Sequence, residues 1–393
     1  MSPTATKARL HFWTSPVFWT SLAALAGVLL FNSCSMSMKS PSGQSMAFAF
    51  ITNTGSGTVS TFSVASNGVL LPVAGSSMQS GAGAEFMAFD AVHKLLFVSN
   101  QQASTLSVFA VNTSTGSLTA MSGSPIATGT RPIGVVVDNG GRFVFVADQG
   151  SNGISVFSIG ASGTLSPVPG SPFPAPNPYG LALNPSGTVL YATNFPDSQM
   201  SDLNTVSAFS VSATGALAPI AGSPFPDANT LSGFASGIGI VSEPSGKFLF
   251  VGDHMAESVV PFTVNASGGI TPVSALPTPA ASCNTSCHNN PLRLAVDPAD
   301  RFLYATDVAA GTVSSFSING GNLSPAGTAP AGQHPFGLAF APGGGFLYVV
   351  NKVDNSISSY AVNAATGQLS PMNTTSANGL NAPTDIVIVG STM

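Results

Sequence analysis

Charge is nearly absent from this sequence. Only 6% of its 393 residues are Asp, Glu, Lys or Arg. The ten basic residues are scattered among fifteen acidic ones, with no Lys/Arg cluster. Nucleic-acid binding depends on neutralising phosphates, so the sequence argues against such a partner. Long helical patterns are missing after the first 35 residues. Strands and turns must therefore build the body. Cysteine occurs three times, at Cys34, Cys283 and Cys287. No Ser-His-Asp order, His-Glu-x-x-His helix or Gly-x-Ser-x-Gly elbow is present, so no familiar hydrolytic motif assigns a reaction.

Gly (42) and Pro (30) are abundant, together about a fifth of the chain. Such a composition alone would suggest disorder. The 44% hydrophobic content and regular apolar alternation point instead to many short strands joined by tight turns. One phrase recurs seven times, an aromatic residue three places before Asn or Asp. The copies are Phe50–Asn53, Phe97–Asn100, Phe145–Asp148, Tyr191–Asn194, Phe250–Asp253, Tyr304–Asp307 and Tyr348–Asn351, spaced by 47, 48, 46, 59, 54 and 44 residues. A period of roughly 40–50 residues signals a propeller or a solenoid.

The unit starting at Gly180 reads as four strands. Strand A is Gly-Leu-Ala-Leu, B is Leu-Tyr-Ala-Thr, C is Val-Ser-Ala-Phe-Ser-Val and D is Leu-Ala-Pro-Ile. Four strands per period is a propeller blade. No capping repeat is visible, which favours a closed ring over a solenoid. The body begins with a B strand near Met46–Thr52 and ends with an A strand, Asp385–Val389. Joining them completes a blade and closes the circle without exposed edges. The expectation is an all-β, seven-bladed β-propeller over residues 46–390. The Asn or Asp after strand B is expected to hold the B–C turn by bonding an N–H two residues on. The repeated Gly-Ser-Pro (123–125, 170–172, 222–224) reads as turn chemistry leading out of each unit. Phe62, Phe109, Phe157, Phe209, Phe262, Phe316 and Tyr360 read as core between blades.

Residues 1–34 read as an export signal. Lys7 and Arg9 precede an uncharged stretch whose most apolar part is Val17 to Phe31. Ser33-Cys34 ends it in the manner of a bacterial lipoprotein signal, with Cys34 the lipidated residue. Ordinary cleavage and an uncleaved membrane anchor stand beside this, since the stretch is long enough to span a bilayer. All three place the body outside the cytoplasm, membrane-anchored at the cell envelope in the first and third cases. Residues 35–45 read as a tether. Without Lys7 and Arg9 the net charge goes from −5 to −7, eight basic against fifteen acidic residues.

Residues 335–351, Pro-Phe-Gly-Leu-Ala-Phe-Ala-Pro-Gly-Gly-Gly-Phe-Leu-Tyr-Val-Val-Asn, followed by Ser356–Val362 and Gly367-Gln-Leu369, resemble the lactonase-type seven-bladed propellers. That family includes 6-phosphogluconolactonases and fungal muconate-cyclising enzymes, and is related to surface-layer proteins with Tyr-Val-Thr-Asn repeats. The resemblance covers about 46–390 and rests on residues that build blades, so it implies the fold more than the activity. It implies His, Arg and acidic residues around the central mouth.

Chain direction puts the A–B and C–D turns on one face and the B–C and D–A loops on the other. The long insertions, Phe195–Asn204, Pro224–Gly237 and Ala275–Pro291, fall on the second face, where function concentrates. Strand A is expected nearest the axis. A column just before it reads Gly83, Arg131, Asn177, Ser236, Asn290, His334 and Ala382. Three places on, the column reads Phe86, Gly134, Gly180, Gly239, Arg293, Gly337 and Asp385, with glycine where backbones crowd. Arg293 and Asp385 break it with opposite charges. Glu85, Arg131, Tyr179, Arg293, His334 and Asp385 are the candidate lining of an anion-, sugar- or lactone-binding mouth. A structural Arg293–Asp385 ion pair beside a solvated His334 is the plainer account. If the mouth hydrolyses a lactone, His334 and Arg293 are candidates for base and oxyanion partner, with Asp385 beside them.

Cys283-Asn-Thr-Ser-Cys287-His288 supports a disulfide that stiffens a long loop. It also resembles a c-type haem attachment motif with one residue too many, and zinc would find His288 as its only nearby third ligand. Asp197, Asp202 and Asn204 read as solvated loop residues rather than a Ca²⁺ site. No metal or cofactor is expected. The sequence therefore supports an exported lactonase-family propeller, serving first as a binding or scaffold module for a carbohydrate, lactone or protein ligand. Lactone hydrolysis at the channel mouth is the alternative, and a haem redox protein the third reading.

Overall fold

A computed structural model describes residues 47–195, 205–226, 237–253, 258–273, 276–277, 291–376 and 379–391. The leader and tether, with Cys34, lie outside them, as do Cys283, Cys287 and the carboxylates of loop 195–204. Among the described residues no helix is long and apolar enough to cross a membrane.

Seven antiparallel sheets form the body, and strand A ends each of them. The A strands pack side by side as a ring: Pro383–Gly390, Ala84–Asp90, Pro132–Val137, Pro178–Leu183, Gly237–Ser242, Pro291–Val296, Pro335–Phe340, and back to the first. We number blades 1 to 7 in that order. The protein is a seven-bladed β-propeller. Closure comes from Ala47–Asn53, which pairs with Pro383–Gly390 on one side and Thr58–Val64 on the other. Ile51 lies opposite Ile386, and Thr52 opposite Asp385. The last strand of the chain is thus the innermost strand of the first blade.

Blades adhere through apolar faces. The seven aromatic residues of strand C are at most 3% exposed. Burying each such ring stabilises by roughly 2–3 kcal/mol. Polar pins add direction. Tyr191, Tyr304 and Tyr348 donate their hydroxyls to Gly268, Gly367 and Gly68 carbonyls at 2.9, 2.9 and 2.8 Å. Each acceptor is in the C–D turn of the next blade, and Tyr348 reaches across the closure.

The repeated Asn/Asp position is structural. Asp307 accepts the turn N–H of Ala310 at 2.9 Å, but the asparagines find partners other than the expected turn N–H. Asn100 Nδ2 donates to Thr105 and Ser107 hydroxyls at 3.0 and 2.9 Å, and Asn351 to Ser356 and Ser358 at 2.9 Å each. Asn194 keeps the equivalent strand C partners, Thr205 and Ser207, although a long loop intervenes. In each case both partners are hydroxyls of strand C.

Gly-Ser-Pro does not lead out of the blade. In blades 1–5 strand D is split, and the turn returns a two-residue segment to strand C, as Phe173–Pro174 pairs with Ile154 and Gly153. The serine serves strand C: Ser124, Ser171 and Ser223 hydroxyls accept the N–H of Val108, Val156 and Ala208 at 2.8, 2.8 and 2.9 Å. Blades 6 and 7 have unsplit D strands, Asn322–Pro330 and Leu369–Ser376.

Blade 3 has Asp148 where four blades have asparagine. Burial is the largest influence on its carboxyl and pushes it from 3.8 to about 6, opposed by hydrogen bonds from Ser155, Gly129 and Thr128. The native state therefore holds this proton more tightly than the unfolded chain. Stability from this group is present below pH 3.8 and is lost as pH rises through about 6. The Asp148→Asn variant should be more stable than the parent at pH 7.5, by up to about 3 kcal/mol, and no more stable at pH 3.5. Denaturant midpoints at the two pH values check this; a gain equal at both would contradict it.

Candidate functional site

The site begins with a backbone irregularity. In each of the seven A–B pairings the register shifts by one residue near the start of strand A, for example between Pro132 and Val135 and between Pro335 and Leu338. This β-bulge leaves an N–H without a ladder partner. Hydroxyls of strand B supply one: Ser99 accepts from Phe86 N at 3.2 Å, Thr193 from Gly180 N at 2.9 Å, Thr306 from Arg293 N at 3.2 Å and Thr52 from Asp385 N at 2.9 Å. The same hydroxyls reach the next blade, with Ser99 donating to Ile133 O at 2.7 Å and Thr306 to Phe336 O at 2.9 Å. The bulges are held rigidly at the axis.

Crowding there explains the glycines. A Cβ on Gly134 would sit 2.4 Å from Tyr179 O, and one on Gly337 2.7 Å from Asp385 Cα. Gly337 lets blades 6 and 1 meet across blade 7. Arg293 Nη2 lies 3.1 Å from Asp385 Oδ1. The guanidinium carbon stands 4.3 Å from the centre of the Phe86 ring, in cation–π contact. Asp385 Oδ2 accepts Met87 N of blade 2 at 2.9 Å. The two charges that break the glycine column do face each other, and with Phe86 they form a septum across the channel. Burial raises the Asp385 carboxyl, while Arg293 and the N–H of Met87 pull it down.

On the side of the B–C and D–A loops, aromatic rings fill the mouth. Tyr179 meets Phe86 edge-on at 6.2 Å and stacks on Phe195 at 5.5 Å; Phe86 also lies 6.2 Å from Phe336. Glu85 sits among them at 6% exposure and accepts the Thr54 hydroxyl at 3.3 Å. Desolvation raises its carboxyl above 4.5, opposed chiefly by Lys352, then by Thr54, with Arg293 a smaller influence. The Tyr179 hydroxyl is pushed up by burial and by Glu85, and drawn down by Arg293 and Arg131. Glu85, Tyr179, Arg131, Arg293 and Asp385 are therefore one electrostatic cluster.

His334 does not join it. It is exposed and lines a separate depression with Gln333, Asp354 and Val308. The column containing it has a backbone cause: Gly83, Arg131, Asn177, His334 and Ala382 all take left-handed φ of 41–72° as the chain turns into strand A. A base role for His334 beside Arg293 is not supported by this placement.

Lys352 was not among the sequence candidates. Its Nζ lies 5.0 Å from the centre of the Phe336 ring, and it is the largest opposing influence on Glu85. It directly follows the repeat's Asn, in a column that reads Thr54, Gln101, Gln149, Phe195, His254, Val308 and Lys352. Thr54, Phe195 and Lys352 from this column contact the mouth. The signal was present one place past the most visible residue of the repeat. Among the described residues no group of three or more His, Cys, Asp or Glu side chains is placed to hold a metal.

The sequence model of the family described as lactonase, 7-bladed beta-propeller, matches residues 40–224 and 240–387. The chain belongs to this family. No curated protein matches it. A 6-phosphogluconolactonase-like protein from Bacteroides uniformis is 19% identical, with a TM-score of 0.73, covering 88% of this chain and 100% of that one. A similar protein from Bacteroides fragilis is also 19% identical, with a TM-score of 0.72 over 88% of this chain and 98% of that one. A periplasmic gluconolactonase of Pseudomonas aeruginosa is 17% identical, with a TM-score of 0.73 over 88% and 99%. At these identities the structures establish the shared propeller of the lactonase family.

Glu85 is one of three glutamates, with Glu243 and Glu257. Carboxyl NMR with ¹³C-labelled glutamate should give Glu85 a midpoint above 4.5. Replacing Lys352 by Met should raise that midpoint further and leave Glu243 unmoved. An unmoved Glu85 would remove Lys352 from the mouth.

Proposed function

We propose that this lactonase-family propeller opens a lactone ring at its channel mouth, with Glu85 as general base. The carrying observation is a buried carboxyl, raised above its ordinary range, beside a cation and a tyrosine hydroxyl on a rigid bulge. A base near the working pH is the most effective proton acceptor. Glu85 takes a proton from water as the oxygen adds to the lactone carbonyl. Lys352 and Arg131 favour the developing oxyanion. The ring C–O bond then breaks, and the proton on Glu85 passes to the leaving oxygen, giving a hydroxy acid. The family membership supports this chemistry over an inert scaffold.

The protein is exported and held at the cell envelope through Cys34 in this reading, which rests on the leader sequence. A phosphorylated sugar lactone of the cytosol is then not its substrate. Binding without turnover is the second reading. It is favoured by the engagement of Arg293 with Asp385 and by the aromatic filling of the mouth.

On a panel of unphosphorylated sugar lactones, Glu85→Gln should lower kcat/KM by about 10²–10⁴ with the fold intact. The parent's activity should rise with pH through a midpoint above 4.5, as Glu85 loses its proton. Lactone binding without turnover in the parent would select the second reading. For the anchor, Cys34→Ser should move the protein from the detergent phase to the aqueous phase in a Triton X-114 partition and abolish palmitate labelling. Labelling that persists would discard lipidation at Cys34.

A further inference from the structure

The septum of Arg293, Asp385 and Phe86 has a second face. Beyond it, toward the A–B turns, the channel holds a cavity of about 310 Å³. That is the lower end of ordinary ligand pockets, roughly 300–1,000 Å³. Its wall runs down the inner strands of blades 2 and 3, Phe86 to Phe89 and Gly134 to Val137, with Leu181, Gly239, Ile240 and Leu294 opposite and Arg293 at one end. None of the acidic residues of the mouth is among them; Glu85 and Asp385 lie outside this wall.

Two features give the cavity its chemistry. Each A strand is the end strand of its sheet, so its inner edge presents backbone N–H and C=O groups that no ladder partner occupies. The side chains of the wall, Met87, Ala88, Phe89, Val135, Val136, Val137, are uncharged. The Arg293 guanidinium is the only charge lining it among the described residues. One of its N–H groups meets Asp385, and a quarter of the side chain stays accessible, 25% against 4% for the aspartate. A planar guanidinium with donors to spare, backed by edge N–H groups in a small uncharged chamber, is suited to a carboxylate.

We propose that this chamber binds a small monocarboxylate, entering from the face of the A–B turns. The site is separate from the mouth and does not depend on the lactone reading. Carboxylate oxygens meet the exposed edge of Arg293 and the short carbon chain lies against Val135, Val137 and Leu294.

The test uses the full-length protein in detergent micelles with [1-¹³C]acetate. The parent should broaden the acetate carboxyl line saturably at one site, and unlabelled formate should compete. Val137→Phe, which fills the chamber, should weaken acetate binding at least tenfold and leave lactone turnover unchanged. Ala88→Val is a milder filling, and should also weaken binding if the phenylalanine variant fails to fold. Glu85→Gln should leave acetate binding intact whatever it does to turnover. Acetate binding that survives both fillings, or that is lost with Glu85→Gln, would overturn the proposal. So would the absence of saturable broadening in the parent. Competition by chloride as strong as by formate would reduce the site to a general anion site and overturn its assignment to carboxylates.

Discussion

Seven strands must share one axis, and that crowding governs everything near it. A regular strand would carry a side chain into its neighbour at the bulge, where a Cβ on Gly134 or Gly337 would approach to 2.4 or 2.7 Å. Glycine relieves the contact and the bulge relieves the ladder, at the cost of an unpaired N–H. The hydroxyls of Thr52, Ser99, Thr193 and Thr306 answer that cost and bind the neighbouring blade with the same oxygen in several cases. Shape, register and adhesion between blades thus meet at a few atoms. The pairing of Thr52 with Asp385 brings the two ends of the chain into this arrangement.

The chemistry follows from where the glycine rule is broken. Phe86, Arg293 and Asp385 occupy the crowded column in blades 2, 6 and 1. They fit because they share space: the guanidinium spans glycine-bearing blade 7 to reach the aspartate and lies on the phenyl ring. A single such substitution would clash or leave a charge buried alone. Three together form a closed set in which charge, counter-charge and aromatic face are mutually satisfied. Lys352 is the largest charged influence on Glu85, with Asp385 and Arg293 acting on the same carboxyl.

Much of this was legible in the sequence, for physical reasons. Strand alternation and a 40–50-residue period fix the blade count, because blades repeat the same burial problem. The Arg293–Asp385 meeting followed from two charges breaking a column of glycines. His334 misled because its column is set by a left-handed backbone position that tolerates several residues, among them Gly83 and Ala382. Position in that column says nothing about where the side chain lies. Lys352 stands one place past the repeat's Asn351, in a column that varies freely between blades, so no shared residue type marks it. The Asn partners differ from the expected ones for a related reason: an asparagine near a turn usually serves the turn, but here strand C hydroxyls are within reach. The split of strand D leaves no pattern in the sequence, because two residues are too few to show alternation.

The septum also sets what each end of the channel is able to do. Toward the loops, burial raises the Glu85 carboxyl and Lys352 is the largest influence pulling it back down. Toward the A–B turns, no carboxylate lines the wall, and the remaining guanidinium surface meets backbone edges. Asp385 divides the two environments. It neutralises Arg293 with one oxygen and is fixed by Met87 N at the other, so the arginine cannot swing toward the mouth without leaving its counter-charge. Moving it would also surrender the Phe86 face and leave the buried Asp385 carboxylate without its counter-charge, held only by backbone N–H groups, a cost of several kcal/mol. Arg293 is therefore a wall between two spaces rather than a mobile residue serving either in turn, and the base chemistry proposed for the mouth would draw its positive charge from Lys352 and Arg131.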